Sequence, residues 1–145
     1  MGKPRIGLMT VGDEREYMWD GYFGPLTQPR HEEAREYLSG LPLELIAFDE
    51  VARSRDLIEQ QIQALQAAGA EALFAHTPCW CTPNLSSGAI QRLDLPTVVM
   101  TSTSAATHGM VGMLATAGTL SQVGVDHIRV RDDFGAPVFE EKVMP

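Results

Sequence analysis

Short apolar stretches alternate with helical patterns along nearly the whole chain, and that alternation limits the possible folds more than any other feature. Arg5–Val11, Leu43–Phe48, Glu71–Ala75, Pro96–Thr101 and Asp126–Val130 read as strands. A helix is predicted to begin at Pro29, with Ala34, Tyr37, Leu38 and Leu41 near helical spacing. The clearest helix runs from Ser54 to Ala68: Leu57, Ile58, Ile62 and Leu65 share one face, Ser54 can cap it, and Gly69 stands where a left-handed terminating residue belongs. Leu85–Leu93 and Gly109–Val123 read as two further helices.

Strands separated by helices of this length are joined by right-handed crossovers and lie parallel. The expected fold is therefore α/β: a Rossmann-like or flavodoxin-like three-layer domain with a mainly parallel five-stranded sheet, over residues 1–130. Asp13–Gln28 reads as a polar loop rich in aromatics, with one helical turn around Glu14–Asp20. Residues 131–145 show turn signals and scattered apolar side chains but no complete element, so they read as a tail or linker into an absent second domain.

Composition removes several functions. The 145 residues suit one domain, carry a formal charge of −8, and scatter their basic residues apart from Arg53-Ser-Arg55 and Arg129-Val-Arg131. A nucleic-acid partner would call for clustered Lys and Arg. No apolar run approaches the ~20 residues of a membrane span, so no membrane partner is expected. The amino terminus lacks a signal-peptide pattern, which makes the cytoplasm the expected compartment. The first strand is followed by Thr10-Val-Gly-Asp-Glu-Arg15, with a single Gly, and no phosphate-binding loop pattern occurs. A nucleotide is not the expected ligand.

The run His76-Thr-Pro-Cys-Trp-Cys-Thr-Pro-Asn84 carries the functional signal. It links a strand to a helix, so it lies at the carboxyl edge of the sheet, where α/β proteins bind ligands. Two prolines stiffen it, and Trp80 between them is placed as a platform for something flat or ring-shaped.

Several segments together resemble the amino-terminal domain of the L-fucose/L-arabinose isomerase family: Arg5–Asp13 with Arg15-Glu-Tyr17, Val51–Asp56, His76–Asn84 and Gly109–Gly118. The resemblance spans nearly all of residues 4–130. It implies a metal-dependent aldose–ketose isomerase, commonly using Mn2+, in which carboxylates move a proton between adjacent carbons. The metal-binding and proton-transfer residues of that family lie in later domains, and their motifs do not occur here. The amino-terminal domain contacts the sugar and builds the homo-oligomer. By motif position the substrate-binding residues are Trp80 and Arg15, with His76 and Asn84 in the same loop region. No catalytic or metal-ligating residue is expected in this chain, and alone it is expected to be inactive.

Plainer readings stand beside these. Trp80 can close the sheet edge, and Arg15 can pair with Asp13, Glu14 or Glu16. His76, Cys79 and Cys81 give at most three metal ligands where structural zinc takes four, so His76 is expected to hydrogen-bond across neighbouring loops and the cysteines to pack. Their spacing makes a poor disulfide. Gly109, Gly112 and Gly118 predict close packing against the sheet or a partner chain. His108 is a loop residue near a helix N-terminus, and Asp49, Glu50 and Asp56 are loop and first-turn acids. Two alternative functions remain: a free-standing sugar-binding or assembly module, and a cysteine-dependent racemase-like enzyme using Cys79.

Overall fold

The computed structural model describes residues 2–143. Five strands form one sheet: β1 (Arg5–Thr10), β2 (Glu44–Ile46), β3 (Ala72–His76), β4 (Thr97–Thr101) and β5 (His127–Arg131). Their order is β2-β1-β3-β4-β5 and every pairing is parallel. This is the flavodoxin-type order, whose topological switch point falls between β1 and β3.

Alternation along the strands builds two cores. Met9, Leu73, Ala75 and Val99 face one side and pack with Ile58, Ile62 and Leu65 of α3 (Arg55–Ala67), Ile90 of α4 (Pro83–Leu93), and Met113 and Leu120 of α5 (Gly109–Gln122). Leu8, Phe74, Met100 and Val130 face the other side and meet Ala34 and Leu38 of α2 (Gly24–Ser39) and Phe139 of α6 (Pro137–Val143). The result is three layers with helices on both faces of the sheet.

Both caps read for α3 are present. Ser54 accepts a hydrogen bond from the Leu57 N–H at 3.2 Å. At the other end Gly69 adopts φ +71°, and the N–H groups of Gly69 and Ala70 close on the carbonyls of Gln66 and Leu65. That double closure is the Schellman arrangement, which a glycine makes with the least strain.

Two segments differ from the sequence reading. Helix begins well before Pro29: α1 (Glu16–Met18) runs through a π-helical turn (Trp19–Phe23) into α2, and Pro29 lies inside α2. Pro25 has no N–H for the Gly21 carbonyl, and its ring would crowd that carbonyl in a regular turn. The wider turn, in which the Gly24 N–H bonds to the Trp19 carbonyl, removes the clash. Residues 131–143 also hold an element, α6. The scattered apolar residues of this tail form a cluster, with Phe134 and Phe139 5.1 Å apart and Tyr37 5.3 and 5.6 Å from them.

The glycines of α5 divide into two kinds. A Cβ on Gly112 would lie 2.5 Å from the Cys79 carbonyl oxygen, and one on Gly109 would strike Thr101 Oγ1 and the carbonyls of Thr77 and Pro78. These two glycines bring α5 onto the loop after β3. Gly118 meets nothing within 4 Å. Gly112→Ala is therefore expected to destabilise by about 1–3 kcal/mol through overpacking against a backbone atom. Gly118→Ala should stabilise by about 0.5–1 kcal/mol through helix propensity. Urea unfolding of the two variants checks this, and equal effects would contradict the assigned packing.

Candidate functional site

The carboxyl ends of β1 and β3 lie side by side, with Thr10 opposite His76. Beneath the loops that leave them is a buried polar chain. Thr10 Oγ1 lies 2.8 Å from His31 Nδ1 and 3.1 Å from His76 Nδ1. His31 Nε2 lies 2.8 Å from the Phe48 carbonyl oxygen, which can only accept, so this nitrogen carries a proton. With both rings neutral, the Thr10 hydroxyl donates to His31 Nδ1 and its oxygen accepts from His76 Nδ1–H. One threonine thereby joins β1, β3, α2 and, through His31, the segment that follows β2.

Above this chain the β1 loop turns on Asp13, which is fully buried. Its Oδ1 accepts from Arg15 Nε at 3.0 Å and from the Arg15 backbone N–H at 2.9 Å, and its Oδ2 accepts from Arg15 Nη2 at 2.6 Å. Burial alone would raise the Asp13 carboxyl, but the hydrogen bonds and charge of Arg15 outweigh it and hold the carboxyl below its ordinary range. Arg15 is 43% exposed, so the guanidinium is fixed along one edge and open to solvent elsewhere.

The loop after β3 is held on several sides. The Thr77 N–H bonds to the Met100 carbonyl at 2.9 Å, Thr101 Oγ1 donates to the Thr77 carbonyl at 2.8 Å, and the Thr107 hydroxyl donates to the Pro78 carbonyl. The Trp80 N–H bonds to the Thr107 carbonyl at 2.9 Å. Trp80 is half-buried on this fixed backbone. Thr82 occupies the N-cap position of α4, yet its hydroxyl donates to Glu14 Oε1 at 3.0 Å and does not cap the helix. That bond ties the Trp80 loop to the Arg15 loop.

The structure thus brings the Arg15 and Trp80 loops together at one sheet edge. Asn84 is exposed in the first turn of α4, beside them in the chain. His76 is 1% exposed and supports the site from below, bonded across to β1. Beside the β1 loop, Arg53 lies 4.4 Å over the Trp19 ring and pairs with Glu16 at 2.8 Å. Glu14, Glu16, Glu50 and Arg53 line a crevice of about 610 Å³ there. The larger cavity, about 1020 Å³, opens at the opposite edge of the sheet, between Thr97, Asp126 and Val143.

A family model for the first N-terminal domain of L-fucose isomerase matches residues 3–138. The chain belongs to this family. No curated protein matches it. That membership places the chain with the isomerases of carbohydrate metabolism. No helix among the described residues is long and apolar enough to cross a membrane.

The remaining residues singled out by the sequence find plain roles. Cys79 and Cys81 are fully buried free thiols. Burial raises the Cys79 thiol and pushes Cys81 up to about 12, an environment opposite to that of a thiolate nucleophile. His108 is the exposed residue before α5, in the left-handed region at φ 56°, with its ring edge-on to Phe23 at 6.4 Å. Asp49 pairs with Arg35 at 3.0 Å. Among the described residues no three His, Cys, Asp or Glu side chains gather as metal ligands, and Asp13 is committed to Arg15. The donors among the described residues do not form a site that fits Mn2+.

Sequence reasoning missed Thr10 and His31. His31 falls on the buried stripe Thr27, His31, Ala34 and Leu38 of α2, and a histidine on an apolar stripe is the signal that could have found it.

Burial, reinforced by the charge of Arg30, pushes His76 down to about 3. The unfolded chain takes up this proton near pH 6.5, so it binds more protons than the folded chain between those values. Stability from this group is complete above about pH 6.5 and is lost as the pH falls toward 3. Between pH 6.5 and 5 the wild type should therefore lose stability more steeply than His76→Asn, by up to about 1.4 kcal/mol per pH unit. Urea midpoints across that range measure the difference, and parallel curves would contradict the buried neutral ring.

Proposed function

We propose that this chain is the substrate-contacting and oligomer-building part of a metal-dependent aldose–ketose isomerase of the fucose/arabinose type. Trp80 offers its ring to the C–H face of the sugar, and Arg15 and Asn84 hydrogen-bond its hydroxyls, while His76 holds the strand end beneath them. The observation that carries this reading is the joined pair of loops after β1 and β3, which keeps a half-buried Trp and a half-exposed Arg at one edge of the sheet.

Such an arrangement binds and orients. A pyranose or open-chain aldose has apolar C–H faces and a fan of hydroxyls, which suits one aromatic plane and one fork of N–H donors. Shifting a carbonyl between C1 and C2 requires a general base and acid near those carbons. Asp13 is buried against Arg15, and both thiols sit in environments that hold their protons. In this reading the Mn2+ and proton-transfer groups come from outside the chain, and the domain works within a homo-oligomer, in the cytoplasm.

L-Fucose or L-arabinose added to the chain should quench tryptophan fluorescence in a saturable way. Trp80→Ala should abolish saturable binding, followed by NMR of the sugar because the variant lacks this fluorophore, and should lower unfolding stability by about 1–3 kcal/mol, the scale for a part-buried aromatic side chain. With Mn2+ present the chain alone should form no ketose. Saturation that survives in Trp80→Ala would contradict the assigned contact, and ketose formation proportional to protein would contradict the division of labour.

A further inference from the structure

We infer that Asp13 is the positioning residue of the site, setting the direction of Arg15 and seating the loop that carries Trp80; the inference rests on the sugar-contacting reading of those two residues. The geometry has three parts. The Asp13 carboxylate takes Arg15 Nε and Nη2 on its two oxygens, at 3.0 and 2.6 Å, so the guanidinium plane is fixed by a two-point contact. The Arg15 backbone N–H reaches the same Oδ1 at 2.9 Å, which fixes the turn from which the side chain springs. Glu14, the residue between Asp13 and Arg15, accepts from Thr82 Oγ1 at 3.0 Å, which ties this turn to the loop that carries Trp80.

The contrast in burial gives this arrangement its direction. The Asp13 side chain is fully covered, whereas Arg15 is 43% exposed. A carboxylate that only neutralised a surface arginine would gain nothing from being buried, because exposed pairs contribute little. Here the covered carboxylate occupies the Nε edge of the fork and leaves Nη1 for another partner. Tyr17, with its ring centroid 5.9 Å from the guanidinium carbon, borders Arg15 on another side. An arginine held this way loses little freedom when it binds a hydroxyl, and this is how preorganisation raises affinity.

The experiment compares the wild-type chain with Asp13→Asn, Arg15→Ala and the double variant, using L-fucose as the probe and NMR to follow both binding and the Arg15 Nε–Hε signal. Asp13→Asn should weaken L-fucose binding by on the order of ten-fold, as expected for losing one charge-assisted contact. The double variant should bind no more weakly than Arg15→Ala, because Asp13 acts through Arg15. Without sugar, the Arg15 Nε–Hε signal should be ordered in the wild type and averaged in Asp13→Asn. The wild type supplies the same readout with no substitution: the signal should lose order as the pH falls through the lowered Asp13 pKa.

Unchanged affinity in Asp13→Asn, or a double variant whose losses add, overturns this inference and leaves the sugar-contacting reading standing. Failure of the wild-type chain to bind overturns that reading, and this inference falls with it.

Discussion

Everything at the functional edge depends on the parallel pairing of β1 with β3 in one register, Ile6 against Ala72 through Thr10 against His76. A slip of one residue would turn every side chain to the opposite face. Leu8 and Phe74 would leave one core, and Met9 and Ala75 the other. The same slip would separate Thr10 from His76 and break the chain of hydrogen bonds to His31 and Phe48. The apolar cores and the polar network therefore specify one register, and Thr10 and His31 offset the cost of their burial by bonding to one another and to the Phe48 carbonyl.

From that register the loops inherit their positions. Just past β1, the Val11 N–H donates to the carbonyl of His76 at the end of β3 at 2.9 Å, and the two segments then diverge into the Asp13–Arg15 turn and the Thr77–Thr82 run. Each turn is made rigid by a different means. In the first, a buried carboxylate organises the backbone and the arginine. In the second, hydroxyls of Thr101 and Thr107 hold successive carbonyls, and Gly109 and Gly112 let α5 approach closely enough to do so. The Thr82–Glu14 bond then couples the two. Side chains held on such loops can meet a polyol with little loss of freedom, which matters for a ligand whose binding otherwise rests on weak contacts.

The sheet, its parallel sense and the position of the Trp80 loop were legible in the sequence because they follow from local patterns. Strand alternation, the Ser54 cap and the Gly69 terminator act within a few residues. What was not legible depended on compensation at a distance. Asp13–Gln28 read as a polar loop and Pro29 as a helix start, yet a widened turn at Trp19–Phe23 accommodates Pro25, and both prolines lie on the exposed side of one continuous helix. Phe134 and Phe139 looked isolated because Tyr37, which completes their cluster, is nearly a hundred positions away. At the site, Trp80 and Arg15 were found from the loop and the family resemblance. Asp13 entered only as a possible surface partner, since sequence gives no sign that a carboxylate is covered. Thr10 and His31 escaped because a hydroxyl shared by two imidazoles from different elements leaves no pattern in either segment.

The measurement that tests this account most directly is a map of backbone amide shifts in the isotope-labelled chain as L-fucose is added. The account predicts perturbations concentrated at residues 13–15 and 79–84, the two loops at the carboxyl edge, with saturation at a common concentration. Shifts confined to residues 123–128, around the larger cavity at the amino edge, would contradict it, and so would no shift at any sugar concentration.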